Sequence, residues 1–228
     1  MEINSNFSQP AFVHSDALEW VASPMAGVDR RMLDRIGEEV ARATSIVRYA
    51  KGSAFSEHTH SGGEEFIVLD GVFQDEHGDY PKGTYVRNPV GTHHVPRSDP
   101  GCTIFVKLWQ FEPADQEQIA IDLNAVELHV DPDNPNRQSA VLASRDYEEV
   151  RLEHWAPDVE FEPCEAGGLE MLILAGSLEF DGEVFGPHDW LRWPSQRAAH
   201  LHSGATGTRL WIKRGHLDDV RVPVPPNA

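Results

Sequence analysis

Two histidines separated by a single residue, His58 and His60, lie in the part of the sequence best suited to chemistry. In a β-strand, residues i and i+2 face the same side, so both imidazoles can enter one cavity. The Gly62-Gly63 turn that follows can return the chain so that Glu64 begins an adjacent strand. His94 can arrive from a further strand. Three nitrogens and one oxygen suit Zn, Fe, Mn, Ni or Cu better than Ca or Mg, which prefer oxygen ligands.

Two of these candidates have a neighbour of the same type. Glu65 follows Glu64, and His93 precedes His94. Successive side chains of a strand point to opposite faces, so we expect Glu64 and His94 to face the cavity. Loop geometry could exchange either pair, and the sequence leaves both alternatives open.

The elements that must position these residues are short strands. The chain contains 18 Gly and 16 Pro, which separate short runs rich in β-branched and aromatic residues. The clearest runs are Thr44–Tyr49, Glu65–Leu69, Thr103–Trp109, Glu170–Leu174 and Thr208–Ile212. Many short strands with frequent turns predict an all-β sandwich or barrel. The segment Met32–Val40 is interpreted as a strand, a turn at Gly37 and a second strand.

An internal repeat predicts two domains. Glu65–Gly71 resembles Glu170–Gly176 at an offset of 105 residues. The same offset relates Gly62-Gly63 to Gly167-Gly168, Arg87 to Arg192, and Pro89 to Pro194. From His94, which matches His200, the offset is 106, as one inserted loop residue would produce. We therefore expect tandem barrels at residues 1–125 and 126–228, joined by a linker at Pro132–Asn136 and followed by an extended tail at Arg221–Pro226.

The second half lacks the site. At the repeat offset His58 becomes Pro163, His60 becomes Glu165, Glu64 becomes Leu169, and only His94 keeps an imidazole, His200. One imidazole and one displaced carboxylate do not make a tight metal site. We expect this half to be a structural partner whose interior is filled by side chains.

The first half resembles the cupin superfamily in both of its motifs. Gly-x5-His-x-His-x3-Glu-x6-Gly is met by Gly52, His58, His60, Glu64 and Gly71. Gly-x5-Pro-x-Gly-x2-His is met by Gly83, Pro89, Gly91 and His94, with Ser98 in place of the usual final Asn. More narrowly, Thr44–Gln110 is similar to the ChrR-type cupin domain. The resemblance implies two double-stranded β-helix (jelly-roll) barrels and a metal bound by His58, His60, Glu64 and His94. The expected cofactor is one divalent ion per chain, zinc first, with iron, manganese or nickel as alternatives.

The resemblance also suggests a function. ChrR-type proteins are zinc-dependent anti-sigma factors in which the cupin domain senses oxidative stress. Their sigma-binding part is a separate N-terminal helical domain with a zinc motif of His and Cys. Here Cys102 and Cys164 are the only cysteines, and few residues precede the first barrel, so we do not expect direct sigma-factor sequestration.

Three functions remain open from the sequence. We narrowly favour a regulatory, stress-related metal-binding bicupin. The alternative is a mononuclear metal-dependent oxidoreductase of the dioxygenase type that acts on a small organic molecule. A third is a metal-stabilised protein without chemistry, in which four protein ligands close the metal site. An open, aromatic-lined cavity at the metal would favour catalysis.

Composition limits the partners. The chain carries 19 basic and 37 acidic residues, a net charge of −18, so nucleic acid and anionic membranes are not expected to bind it. With two cysteines and no signal-peptide pattern, the expected compartment is the reducing cytoplasm. A regulatory protein or a small molecule remains as a partner, and we expect a monomer or a homodimer.

Overall fold

Residues 1–198 and 200–223 are described by a computed structural model of this chain, and their regular secondary structure is almost entirely β-strand. A single turn of 3-10 helix occurs at Ser15–Ala17. The first strands are β1 (Glu2–Ile3), β2 (Ala11–Val13), β3 (Val21–Ala22), β4 (Val28–Gly37), β5 (Ala41–Tyr49), β6 (Ser53–Ala54), β7 (His58–Thr59), β8 (Glu64–Gln74), β9 (Asp79–Pro81), β10 (Thr84–Asn88) and β11 (His93–His94). They are followed by β12 (Arg97–Ser98), β13 (Cys102–Leu108), β14 (Ile119–Asp122), β15 (His129–Val130), β16 (Arg137–Arg145), β17 (Glu148–Trp155), β18 (Glu160–Phe161), β19 (Leu169–Phe180), β20 (Glu183–Phe185), β21 (Trp190–Trp193) and β22 (Leu201–Arg214). Among the described residues, no helix is long and apolar enough to cross a membrane.

The strands form two units. Barrel 1 consists of Met1–Ser5, Leu18–Ala125 and the segment that begins at Arg221, and barrel 2 consists of Asn6–Ala17 and Val126–Val220. The structure thus differs from a simple division after residue 125. Residues 6–17 belong to barrel 2 because β2 pairs with β21, with Phe12 opposite Leu191.

The two barrels share one strand order. The main sheet of barrel 1 runs β1-β4-β5-β13-β8-β10-β14, and that of barrel 2 runs β15-β16-β17-β22-β19-β21-β2. Strands related by the sequence repeat occupy the same places, since β8, β10 and β13 correspond to β19, β21 and β22. The prediction of an all-β chain with two tandem jelly-roll barrels is confirmed.

The predicted strands are largely found. All five β-rich runs lie in β5, β8, β13, β19 and β22, except that β13 ends at Leu108 and Trp109 has a positive φ of 61°. The strand-turn-strand interpretation around Gly37 is also confirmed, since β4 ends there and β5 begins at Ala41. Gly37 has φ +120°, and a Cβ there would lie 2.5 Å from the carbonyl oxygen of Val40, so the turn requires glycine.

The linker prediction at Pro132–Asn136 is wrong. This segment joins β15 to β16, which pair with Val130 opposite Gln138, and so forms the turn of a hairpin inside barrel 2. Pro, Asn and Asp favour tight turns as strongly as they favour linkers, so composition alone did not distinguish the two. In the predicted C-terminal tail, residues 221–223 form no strand, and Val224–Pro226 lie outside the described residues.

One face of the central strands lines the interior of barrel 1. Residues directly opposite one another on paired strands share a face, and Leu108 of β13 lies opposite both Glu64 and Ala43. The other face of the same strands carries Lys107, opposite Glu65 and Thr44. Glu64 and Glu65 are therefore on opposite faces of β8, as alternation predicts.

Candidate metal centre

Three imidazoles meet at one end of barrel 1. The short strands β7 and β11 pair so that His58 lies directly opposite His94. His60 follows β7, and its backbone N–H donates to the carbonyl oxygen of Thr92 at 2.8 Å. The ring centroids are 4.7–5.0 Å apart. One ring nitrogen from each histidine lies within 4.8 Å of the other two, so a single ion could contact all three.

Hydrogen bonds orient two of the rings. Nδ1 of His58 lies 3.1 Å from the carbonyl oxygen of Ser56, and Nδ1 of His94 lies 3.2 Å from Oδ2 of Asp75. An imidazole that donates from Nδ1 presents the lone pair of Nε2. The Nε2 atoms of His60 and His94 are buried and have no hydrogen-bond partner among the described residues. Because unpaired buried polar atoms are costly, their convergence fits a bound metal.

Glu64 lies at the edge of this histidine cluster. Its Oε2 is 3.4 Å from Nε2 of His60 and 3.8 Å from Nε2 of His94. Glu64 is nevertheless outside the group of three histidines whose donor atoms all lie within 4.8 Å of one another. Asn88 donates to the same Oε2 at 3.1 Å, and Gln118 donates to Asn88 at 3.1 Å. Asn88, itself bonded by Gln118, thus holds the Glu64 carboxylate beside the histidines. There it could act as a fourth metal ligand or accept a proton.

The two neighbours left open by the sequence are placed elsewhere. Glu65 faces away from the cluster and accepts hydrogen bonds from the Tyr85 hydroxyl at 2.8 Å and from Arg87 at 3.2 Å. Arg87 also pairs with Asp115 at 2.7 Å. His93 is exposed, whereas His94 is buried. The structure therefore brings together the four predicted residues His58, His60, Glu64 and His94, and that they bind a metal stays a prediction.

The environment of the cluster shifts the pKa values of His60 and His94 in opposite directions. Burial lowers the pKa of His60, which favours the neutral form that a metal needs. Burial also acts to lower the pKa of His94, but the hydrogen bond to Asp75 and the charge of Glu64 outweigh it and raise the pKa. Burial alone would raise the pKa of Asp75, but its hydrogen bonds from His94 and the backbone of His77 lower it. No motif spacing links Asp75 to His94, so the sequence did not indicate this carboxylate.

A cavity of about 600 Å³ extends from the cluster into barrel 1. Its wall is mostly apolar, and it includes His58, His60 and Glu64 together with the aromatic side chains of Tyr49, Phe55 and Trp109. The Gly62-Gly63 turn is essential to this wall, because a Cβ at Gly62 would lie 2.3 Å from the Trp109 ring. The histidine cluster is thus open to a chamber that can hold a small organic molecule.

Barrel 2 has no matching centre. Leu169 and Trp193, which correspond to Glu64 and Asn88, are cross-strand partners in the hydrophobic core. The side chain of His200 is 81% exposed beside Glu162, at 3.5 Å. Within residues 1–198 and 200–223, the only set of three or more side chains whose donor atoms lie close enough to share a metal ion is His58, His60 and His94.

These features define a class: a β barrel of the cupin type with a three-histidine centre suited to a divalent metal. Residues 8–112 match the family model described as the ChrR Cupin-like domain. This part of the chain is therefore similar to the ChrR cupin-like domain, as its motifs indicate. No curated protein sequence matches the chain.

Solved structures share the fold across nearly the whole chain. A protein of Nostoc punctiforme, described as a candidate dioxygenase, has a TM-score of 0.76 at 14% identity and covers 97% of this chain and 88% of its own. A candidate glyoxylate-induced protein of Pseudomonas aeruginosa has a TM-score of 0.71 at 12% identity, covering 95% and 92%. The pirin YhhW of Escherichia coli, in complex with nickel(II), has a TM-score of 0.61 at 16% identity, covering 90% and 98%. At these identities the likeness shows the fold alone.

Proposed function

We propose that barrel 1 is the catalytic half of a mononuclear metal-dependent enzyme, of the dioxygenase type, that acts on a small organic molecule. The observation that carries this proposal is the cavity of about 600 Å³ that borders His58, His60 and Glu64. Sites that are purely structural are closed by protein ligands, whereas catalytic sites keep a position open to substrate. A cluster that opens onto an aromatic-lined chamber fits the second pattern.

The residues of the chain fit this role. A redox-active metal bound by the three imidazoles would supply Lewis acidity and oxygen activation at the end of the chamber. Glu64, held by Asn88, is placed to accept a proton from a substrate that lies against the cluster. Tyr49 lines the same cavity, and burial followed by the charges of Glu64 and Cys102 raises its pKa well above 10, so its phenol stays protonated and can donate a hydrogen bond.

A sensory regulator is the second candidate, and the match of residues 8–112 to the ChrR Cupin-like domain favours it. In that case zinc is the expected metal, and the cavity would bind a signal. A thiol signal at Cys102 is not supported, because burial raises the pKa of this thiol to about 11 and leaves little thiolate to react. A sensor would therefore act through the metal centre.

Elemental analysis combined with oxygen uptake separates the two candidates. The untagged protein would be purified from unsupplemented cells, its metal content measured, and oxygen consumption followed with a panel of small organic acids and ketones. The enzyme proposal predicts a redox-active metal such as iron and substrate-dependent oxygen uptake. Stoichiometric zinc with no oxygen uptake by the iron-reconstituted protein would overturn it and favour the sensor.

A further inference from the structure

Two arginines of β4, Arg30 and Arg35, face the cavity although they are five residues apart. Arg30 lies opposite Val47, and Arg35 lies opposite Ala43, both on the interior face of β5. In a regular strand, residues five apart point to opposite sides. A register shift between Met32 and Asp34 inserts an extra residue and returns Arg35 to the face of Arg30. Both arginines accordingly line the cavity that borders the histidine cluster.

Arg35 is a buried cation without an acidic partner. It is 4% exposed, and its hydrogen bonds go to the backbone carbonyl oxygens of Glu38 and Glu39. No side-chain ion pair of Arg35 occurs among the residues that the structure describes. Arg30, in contrast, pairs with Glu39 at 3.1 Å. A buried charge is normally paired, so the guanidinium of Arg35 can still take an anionic partner.

Among the described residues, no carboxylate around the cavity forms an ion pair with Arg35. Glu39 is engaged by Arg30, Glu64 lies in the histidine cluster, and Glu57 is exposed. Burial and then the positive charge of Arg30 lower the pKa of Arg35, and the charges of Glu39 and Glu38 offset this lowering only in part. An anionic ligand would stabilise the charged form of Arg35 against the effects of burial and of the Arg30 charge.

We propose that the cavity binds a small amphipathic carboxylate, with its carboxylate on Arg35 and its apolar body along the wall that leads to the histidine cluster. A planar guanidinium can donate two parallel hydrogen bonds to a carboxylate. The wall residues Val106 and Leu108 lie on the same interior face as Ala43. The inference names the substrate class of the proposed enzyme, and it rests on that proposal only for what happens after binding.

The test compares 4-phenylbutanoate with 4-phenylbutan-1-ol by calorimetric titration of the full chain. The acid should bind at least about tenfold more tightly than the alcohol, because a charge-assisted pair is replaced by a neutral contact. Arg35→Gln should weaken binding of the acid about 10–100-fold and leave the alcohol unchanged. Equal affinities for acid and alcohol in the unmodified protein would overturn the inference without any variant.

A matched control lies on the neighbouring strand. Arg48 pairs with Asp29 at 2.8 Å on the opposite face, so Arg48→Gln removes one positive charge without touching the cavity. It should bind the acid as the unmodified protein does, and an equal loss in both variants would mean that only net charge matters. If Arg35→Gln fails to fold, Arg35→Lys replaces it in the test. Lysine keeps the positive charge but cannot donate two parallel hydrogen bonds to a carboxylate, so this variant should bind the acid more weakly than the unmodified protein.

Failure of the metal centre and failure of this inference give different results. In the double variant His58→Ala/His60→Ala, the preference for the acid should persist, because Arg35 remains. If that preference is lost in the double variant but kept in Arg35→Gln, the carboxylate binds at the histidine cluster and the inference is wrong. A preference that depends on Arg35 in a protein without oxygen uptake would sustain the inference while the proposed enzyme fails.

Discussion

Barrel 1 and barrel 2 agree on one face of their sheets and differ on the other. On the face away from the interior, Glu65 accepts a hydrogen bond from Tyr85 at 2.8 Å, and Glu170 accepts one from Trp190 at 2.7 Å. These residues are related by the 105-residue offset and lie at matching places in the two sheets. The same buried carboxylate therefore serves the same strand pair in both barrels.

The interiors of the two barrels are filled differently. Where barrel 1 places Glu64 beside Asn88, barrel 2 places Leu169 beside Trp193. The interior of barrel 2 is closed by aromatic packing, with the rings of Trp155 and Phe161 stacked at 4.0 Å. Barrel 1 leaves a cavity in its place. One strand order thus supports either a filled core or an open site, because the alternation of side chains lets one face change while the other keeps the sheet together.

Metal uptake should show the largest difference between the barrels. The double variant His58→Ala/His60→Ala should fall from about one metal ion per chain to almost none, because it removes two of the three convergent imidazoles. Mass spectrometry of the purified protein measures the ratio. His93→Ala and His200→Ala, which alter exposed histidines, should keep the full content. Full occupancy of the double variant, or loss in His200→Ala, would place the metal elsewhere.

The second-largest difference between the barrels should be the loss of stability caused by a substitution in the interior. Leu210 and Ile104 face the interiors of barrel 2 and barrel 1 at equivalent positions, and both are buried. Leu210→Ala should lower the free energy of unfolding by about 4 kcal/mol, and Ile104→Ala by about 2 kcal/mol, because Ile104 already borders a cavity and has fewer contacts to lose. Urea unfolding followed by circular dichroism measures both. Larger destabilisation by Ile104→Ala would contradict the contrast between a filled and an open interior.

The variant Asp75→Asn tests whether this carboxylate orients the His94 ring in the histidine cluster of barrel 1. Asp75→Asn should weaken metal affinity about 10–100-fold, since the carboxylate fixes the ring of His94 through Nδ1. Competition with a fluorescent chelator measures the affinity of the folded protein, which a purely structural role would leave unchanged. The control is Asp99→Asn, where an exposed carboxylate pairs with Arg97 instead.

The smallest expected effect is a pH dependence in barrel 2. Hydrogen bonds to Asp189 at 2.9 Å and to Glu183 at 2.8 Å raise the pKa of His14 above 6.5. A raised pKa adds stability that is complete below the unfolded value of 6.5 and disappears as the pH rises through the folded value. His14→Gln should therefore destabilise barrel 2 more at about pH 6 than at about pH 8.5.

Tryptophan fluorescence during urea unfolding can follow that effect, because four of the six tryptophans lie in barrel 2: Trp155, Trp190, Trp193 and Trp211. An equal loss of stability at both pH values would show that the two hydrogen bonds do not depend on the charge of His14.

The sequence by itself determined the parts that depend on local spacing. The alternation in His58-Thr59-His60 placed two imidazoles on one side, and the same rule separated Glu64 from Glu65. The repeat offset predicted two barrels and the loss of the site in the second, because both copies keep their residues in one order. These inferences needed no knowledge of which strands are neighbours.

Only the tertiary structure decided what depends on register and on distant partners. Asp75 reaches His94 across 19 residues, and β2 joins barrel 2 through β21 although it lies between two segments of barrel 1 in the chain. The position of Arg35 is the clearest case. Simple alternation puts it on the face opposite Arg30, and the bulge in β4 reverses that face. A bulge is set by how one strand fits its partner, so a pattern read along a single strand could not reveal the cation that faces the cavity.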